Sequence, residues 1–344
     1  MKRIVIIRTD RVGDLVLSTP AIASLRRSWP EAKIEAIVTD YTEPVLRHNP
    51  DVDCVHILKK SAPPSKGKAL AREIGEGADL VVALAPRTPD YRLAAWTRAP
   101  RRIGYVYRRR YFSRLAAWWL LTDHCISEAD PELANRYPDR PVAHEVHQVL
   151  ALVALAGGAV TTDRLVLRLG DDDRAFARNA VAENAIALNL APRWFQANFG
   201  FEATADLLRR LASLRRDVLV TYGNDVPDAA ARLRDAVSAP NITWLDGLPL
   251  LRWAAALERC SVVVTVDTGA THVASAVGVP VVAVFEREFF RLSSQEWAPW
   301  QVPNVALCKQ PAGAAPDPLI DDIAIAAQRL AAEKAMDEDA RSTL

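Results

Sequence analysis

The sequence predicts an α/β protein made of two Rossmann-like, doubly wound domains. Three observations carry this. The chain has 344 residues, more than one ordinary hydrophobic core organises. Short β-branched runs alternate with helical patterns along most of it, as parallel sheets with right-handed crossovers require. The alternation runs twice, with a break around Gly157-Gly158.

In the first half the strand candidates are 3–8, 33–39, 52–58, 80–85 and 102–106. Each is short and apolar on both faces, the pattern of a strand buried in a parallel sheet. An amphipathic stretch, 15–28, separates the first two. The second half repeats the scheme with strands 185–191, 217–222, 242–245, 261–267 and 280–285, and helices 202–214, 228–237, 250–258 and 270–277. A helix over 144–156 precedes the break, which puts the domain join within 158–172. The expected domains are 1–160 and 161–330. Segment 311–318, rich in Pro, Ala and Gly, reads as a linker before a last helix over 319–334. A frayed tail is expected over 331–344.

Half of the residues are hydrophobic and 25% are charged, which excludes a disordered or fibrous chain. The apolar run before Arg8 is too short for a secretory signal. No window holds the roughly 18–20 apolar residues of a membrane span, so a cytoplasmic location is expected. Cys54, Cys125, Cys260 and Cys308 form no CxxC pair, so metal-ligand spacing is absent and reduced thiols are expected. The net charge of +1 conceals an asymmetry. Residues 1–160 hold 24 Lys and Arg against 18 Asp and Glu, the remainder 19 against 24. An anionic partner is therefore expected on the first domain.

The first strand ends in Thr9-Asp10-Arg11-Val12-Gly13-Asp14 and a helix follows. Ligands bind at the carboxyl ends of strands in open α/β sheets, so this loop is a candidate site. Gly13 lets backbone approach a ligand. Asp14 has two readings, an N-cap of the helix or a general base raised by partial burial. No GxGxxG is present, so a nicotinamide or flavin site is not indicated.

The second candidate loop is Asp267-Thr268-Gly269-Ala270-Thr271-His272, between a buried strand and a small-residue helix. Backbone N–H groups at such a helix start suit a phosphate. Thr268 adds a hydroxyl, and Gly269 leaves space for phosphate oxygens. His272 reads either as a donor to the ligand or as a core histidine.

Between Tyr91 and Thr122 there are eight arginines and no acid. The densest part, Arg108-Arg109-Arg110, leads into a segment with Trp118-Trp119. Arginine forks match phosphates and tryptophan suits a membrane interface, which points to a phosphorylated, lipid-linked acceptor. A solvated basic face and a core helix carrying two tryptophans are the plainer readings. Nucleic acid is not expected, since no nucleic-acid motif appears.

The run Arg8 to Arg26, with its Gly13-Asp14 turn and Thr19-Pro20, resembles the opening of glycosyltransferase family 9, the lipopolysaccharide heptosyltransferases. The set D-T-G-x-x-H-x-A at Asp267 to Ala274 resembles the same family's donor signature. Tyr222-Gly223-Asn224-Asp225, Arg101-Arg102-Ile103-Gly104 and Gly278-Val279-Pro280 match more weakly, and the likeness spans roughly 1–330. It implies the GT-B fold, two Rossmann-like domains facing a cleft, with acceptor binding in the first and donor binding in the second. It implies Asp14 as catalytic base, Asp225 near the donor ribose and Leu248 near the adenine. Gly13, Arg11, Arg102 and Arg108–Arg110 would meet the acceptor.

Two departures from the family stand out. A Lys-Arg-Trp-Pro-like segment is expected after the first strand of the second domain, and its lysine would meet the diphosphate. Here the stretch from Asn189 to Phe199 has no lysine, and Arg193 is the substitute cation. Further on, Phe285 is followed by Glu286-Arg287-Glu288 where the family has Gly-Pro-Thr. A carboxylate there would oppose a diphosphate unless Arg287 or a sugar hydroxyl engages it.

Together these imply an inverting, metal-independent transferase with no cofactor. It would use a nucleotide-sugar co-substrate, ADP-heptose, and a lipopolysaccharide-core-like phosphorylated glycolipid or glycan acceptor at the inner membrane surface. The alternatives are a relative using another nucleotide sugar, or a catalytically silent fold-mate that binds nucleotide sugar or glycan.

Overall fold

Strand β1 (Arg3–Ile7) is Arg-Ile-Val-Ile-Ile, and its four apolar residues are at most 1% exposed. β-branched side chains that fill both faces make a central parallel strand. Around it lie β2 (Lys33–Thr39), β3 (Cys54–Leu58), β4 (Leu80–Ala83), β5 (Arg101–Tyr107) and β6 (Asp123–Ser127), in the order β3-β2-β1-β4-β5-β6. All pairings are parallel. The connecting helices are α1 (Val12–Ser28), α2 (Pro64–Gly75), α3 (Thr88–Thr97), α4 (Tyr111–Leu120), α5 (Pro131–Arg136) and α6 (Glu145–Ala156).

A second sheet repeats the plan. It comprises β7 (Ala185–Asn189), β8 (Val218–Tyr222), β9 (Ile242–Asp246), β10 (Cys260–Val266), β11 (Val281–Phe285) and β12 (Asn304–Cys308), in the order β12-β11-β10-β7-β8-β9. These strands also pair in parallel. The helices are α7 (Asp171–Ala180), α8 (Gly200–Ala212), α9 (Pro227–Ala236), α10 (Leu250–Glu258), α11 (Gly269–Ala276), α12 (Phe290–Glu296) and α13 (Asp317–Ser342). The structure is a computed structural model that describes residues 1–129, 131–196 and 199–342. The chain divides into two units between Arg168 and Leu169.

Each sheet reverses its winding once, between β1 and β4 in the first and between β7 and β10 in the second. The crevice at the carboxyl ends of those strand pairs is where open α/β sheets bind ligands. Thus Thr9–Arg11 after β1 and Asp267–Thr268 after β10 both occupy switch points.

Two expectations need correction. Helix α13 continues to Ser342, so the tail from 331 is not frayed as far as it is described. Residues 331–342 contain no Gly or Pro to stop a helix and are rich in Ala and Glu, which favour it. The strands β6 and β12 were absent from the sequence pattern. Both are edge strands that are mostly incompletely buried, so they lack the apolar run that marks the interior ones.

Candidate active site

The first switch point is organised by a buried arginine. Arg8 directly follows β1, and its side chain is 1% exposed. It reaches Asp10 Oδ1 at 3.0 Å, Asp14 Oδ1 at 3.3 Å and Glu145 Oε1 at 2.9 Å. It also donates to Ser18 Oγ at 3.0 Å and to the Leu84 carbonyl at 2.6 Å. Tyr105 donates to the same Glu145 oxygen at 2.7 Å. Three carboxylates thus share one guanidinium, and that imbalance favours a retained proton.

The proton resides most readily on Asp14. Burial raises its pKa, Arg8 opposes, Asp10 and Glu145 add to the rise, and the result is about 7. Asp14 is the third residue of α1, whose N-cap is Arg11. It is therefore not the cap, and the capping reading falls. Its carboxyl stays 19% exposed, open enough to meet a ligand. Nearby, Asp90 Oδ1 accepts from both the backbone N and the Oγ1 of Thr9, each at 2.9 Å. Burial first, then Asp10, lift Asp90 to about 6. Gly13 is buried in the first turn of α1 and Arg11 is exposed at its start.

The second switch point joins two loops. Arg193, in the 3₁₀ turn Pro192–Phe195 after β7, donates to the Asp267 carbonyl and to Asp267 Oδ2 at 2.7 Å. This brings the substitute cation to the start of α11. Thr268 is the N-cap of that helix, and its Oγ1 accepts from Ala270 N at 3.4 Å. Gly269 is the first helical residue and is half-buried, while His272, one turn in, is buried. Asp225, exposed, and Leu248, half-buried, lie after β8 and β9 along the same sheet edge. Their loops are linked by Gly247 N donating to the Tyr222 carbonyl at 3.2 Å.

A polar chain beneath this edge escaped the sequence reading. Trp253 Nε1 donates to Thr221 Oγ1 at 3.2 Å, and Thr221 to Asn189 Oδ1 at 3.1 Å. Asn189 Nδ2 donates to Thr265 Oγ1 at 3.4 Å, which lies 3.2 Å from Thr268 Oγ1. The chain crosses β8, β7 and β10 and ends on the cap of α11. Its sequence signal is a polar residue near the carboxyl end of three largely apolar strands.

Lys309 also went unread. It follows β12, its side chain is 0% exposed, and it donates to Glu286 Oε1 at 2.7 Å and to the Arg193 carbonyl. Glu286 is therefore neutralised by Lys309, not by Arg287, and Arg193 is not the sole cation at this edge.

Arg102 corrects a further expectation. It lies at the amino end of β5, the edge opposite Asp14, and donates to the carbonyls of Leu120 at 3.0 Å and Ala99 at 2.6 Å. It ties strand to helix and does not meet a ligand at the switch point. Arg108–Arg110 do follow the carboxyl end of β5. Arg108 pairs with Glu128 at 2.6 Å, Arg110 lies over the Tyr107 ring at 4.4 Å, and Arg109 is half-buried. Trp118 and Trp119 are exposed, so the core-helix reading of that pair falls.

Among the described residues one trio combines metal-ligating types, Glu35, Cys54 and His56 on β2 and β3. Glu35 there is already occupied by Arg3 at 2.6 Å and Lys33 at 3.2 Å, cations that would oppose a metal ion. No helix among the described residues is long and apolar enough to cross a membrane.

Two Rossmann-like units, each with a polar loop at its switch point, place the chain in the GT-B fold class. The profile of glycosyltransferase family 9 (heptosyltransferase) matches residues 68–319, and the chain belongs to that family. It is 24% identical over 297 residues to lipopolysaccharide heptosyltransferase 3 of Escherichia coli, covering 84% of this chain and 83% of that one. Its fold is similar to that of a glycosyl transferase family 9 protein from Veillonella parvula, with a TM-score of 0.77 and 19% identity. That match covers 96% of this chain and 98% of the other. It is likewise similar to E. coli ADP-heptose lps heptosyltransferase II, with a TM-score of 0.72 and 18% identity over 97% and 100% of the two chains.

Proposed function

We propose that this glycosyltransferase moves heptose from ADP-heptose onto a lipopolysaccharide-core-like acceptor, with inversion and without a metal. The observation that carries the reading is Asp14, a carboxyl lifted to about 7 at the first switch point and still reachable. A base with that affinity is poised near neutral pH. The names of the E. coli relatives, a lipopolysaccharide heptosyltransferase and an ADP-heptose enzyme, support the substrates.

In this mechanism Asp14 takes the proton of the acceptor hydroxyl as its oxygen forms a bond to the anomeric carbon. The bond from that carbon to the diphosphate breaks on the opposite face. The departing charge meets the N–H groups at the start of α11, the Thr268 hydroxyl and Arg193, a preorganised set that does the work of a metal. Asp225 would hold the ribose, Leu248 the adenine, and His272 the sugar or its phosphate. Arg11 and Arg108–Arg110 would meet acceptor phosphates, with Gly13 giving close backbone approach. The first unit is thus the acceptor domain, the second the donor domain, and the enzyme acts at the inner membrane surface, where its acceptor resides.

The test is transfer from ADP-heptose to a heptose-deficient core acceptor in the presence of a chelator. Product with inverted anomeric configuration is expected. Binding of ADP-heptose without any transfer would favour the catalytically silent alternative, and preference for another nucleotide sugar would overturn the donor.

A further inference from the structure

We infer that the outward face of α4 is a docking surface for an anionic lipid bilayer. The helix inverts the usual partition of an amphipathic element. Toward the core it buries Ala117, with Ala116 and Leu120 packed partly against it. Toward solvent it sets Tyr111, Phe112, Leu115, Trp118 and Trp119, each 57–90% exposed. At about 100° per residue these five fall within roughly 120° of arc, one continuous stripe. The two tryptophan rings meet edge to face with centroids 5.0 Å apart. Contiguous apolar surface of this kind marks an interaction site.

The surrounding charge identifies what covers it. Arg108 and Arg110 precede the helix and Arg114 lies one turn inside it. Arg114 donates to the Arg108 carbonyl at 3.0 Å, which holds these cations at the margin of the stripe. Glu128 pairs with Arg108 at 2.6 Å. An aromatic stripe rimmed with arginine matches the interface of a bilayer with anionic headgroups. A second copy of the chain on the same stripe would oppose arginine rim to arginine rim about a two-fold axis, which repels. Helix α4 leaves the carboxyl edge of β5, two strands from β1 in the sheet, so docking would present the Asp14 edge to lipid-borne material. The inference rests on α4 and the arginines that flank it and is independent of which sugar is transferred.

The whole chain is floated with phosphatidylcholine vesicles with and without phosphatidylglycerol. Binding to the anionic vesicles is expected. Trp118→Ser with Trp119→Ser should weaken it roughly tenfold or more, since their insertion supplies much of the apolar term. Arg114→Gln should weaken it mainly at low salt. Calorimetry with ADP should give the same affinity for every variant, which separates failure of docking from failure of the donor reading. Three results overturn the inference: no binding of the wild type to anionic vesicles, equal binding by the tryptophan variant, or self-association abolished by those substitutions.

Discussion

Lys309 Nζ lies 2.7 Å from Glu286 Oε1 and also donates to the Arg193 carbonyl. One buried ammonium therefore ties the ends of β11 and β12 to the turn that carries Arg193. A lysine absent from that turn in sequence has a counterpart one sheet edge away in space. Its role here is positioning, because both of its contacts are protein groups.

Replacing Lys309 with Met should leave Glu286 without its partner and release the Arg193 turn. A stability loss of about 1–3 kcal/mol is expected, the cost of leaving a partly buried polar group unmatched. Adding Glu286→Gln should recover part of it, as a coupled pair requires. Thermal denaturation of the two single variants and the double variant tests this. Strict additivity would show that the pair is uncoupled.

Asp14 sets the pH dependence of the reaction. The base must be deprotonated, so kcat/KM should rise through about pH 7, where burial and the neighbouring carboxylates place it. Asp14→Asn should lower turnover by roughly 10²–10⁴ and remove that limb. A profile with the same limb in Asp14→Asn would assign the base elsewhere.

The same residue predicts a stability signature. Its folded pKa of about 7 exceeds the ordinary value of 3.8, so the folded state binds this proton more tightly than the unfolded one. Stability from this group is full below the unfolded pKa and is lost as pH rises through about 7. The Tm of Asp14→Asn relative to wild type should therefore increase between pH 5 and pH 8. An unchanged or falling difference would contradict the buried-proton arrangement.

Much of this was legible in sequence because it depends on local pattern. The β-branched runs at β1 and β10 fixed the two sheet centres, and the loops after them are switch points by topology alone. Asp14, Thr268 and Gly269 lie in those loops by that placement, and the roles proposed for them rest on the family resemblance as well. Arg102 misled because its Arg-Arg-Ile-Gly motif says nothing about which end of the strand faces the ligand edge. Glu145 and Lys309 were invisible for another reason. Glu145 reaches Arg8 across 137 positions, and Lys309 reaches Arg193 across 116. Only folding brings such residues together.

The polar chain from Trp253 to Thr268 predicts a remote effect on donor binding. Asn189→Leu should leave the Thr221 hydroxyl without its acceptor and take from Thr265 the Asn189 donor, costing about 1–3 kcal/mol of stability. It should also loosen the cap of α11 and weaken ADP binding. Calorimetry and denaturation on one preparation decide this. Lost stability with unchanged ADP affinity would confine the network to a structural role.

Gly269 tests the donor site most directly. It is the first residue of α11, half-buried, and follows the capping Thr268. The N–H groups that would hold the diphosphate are those of this first turn, and they act only if phosphate oxygens come within hydrogen-bond distance. A β-branched side chain at 269 stands in that approach while leaving the helix free to form. Gly269→Val should therefore weaken ADP by roughly 10- to 100-fold, about 1.4–2.7 kcal/mol, with little change in Tm. Thr268→Ser is the control, since it keeps the capping hydroxyl and should bind nearly as wild type. If Gly269→Val binds ADP with wild-type affinity, the diphosphate is not held at this helix start.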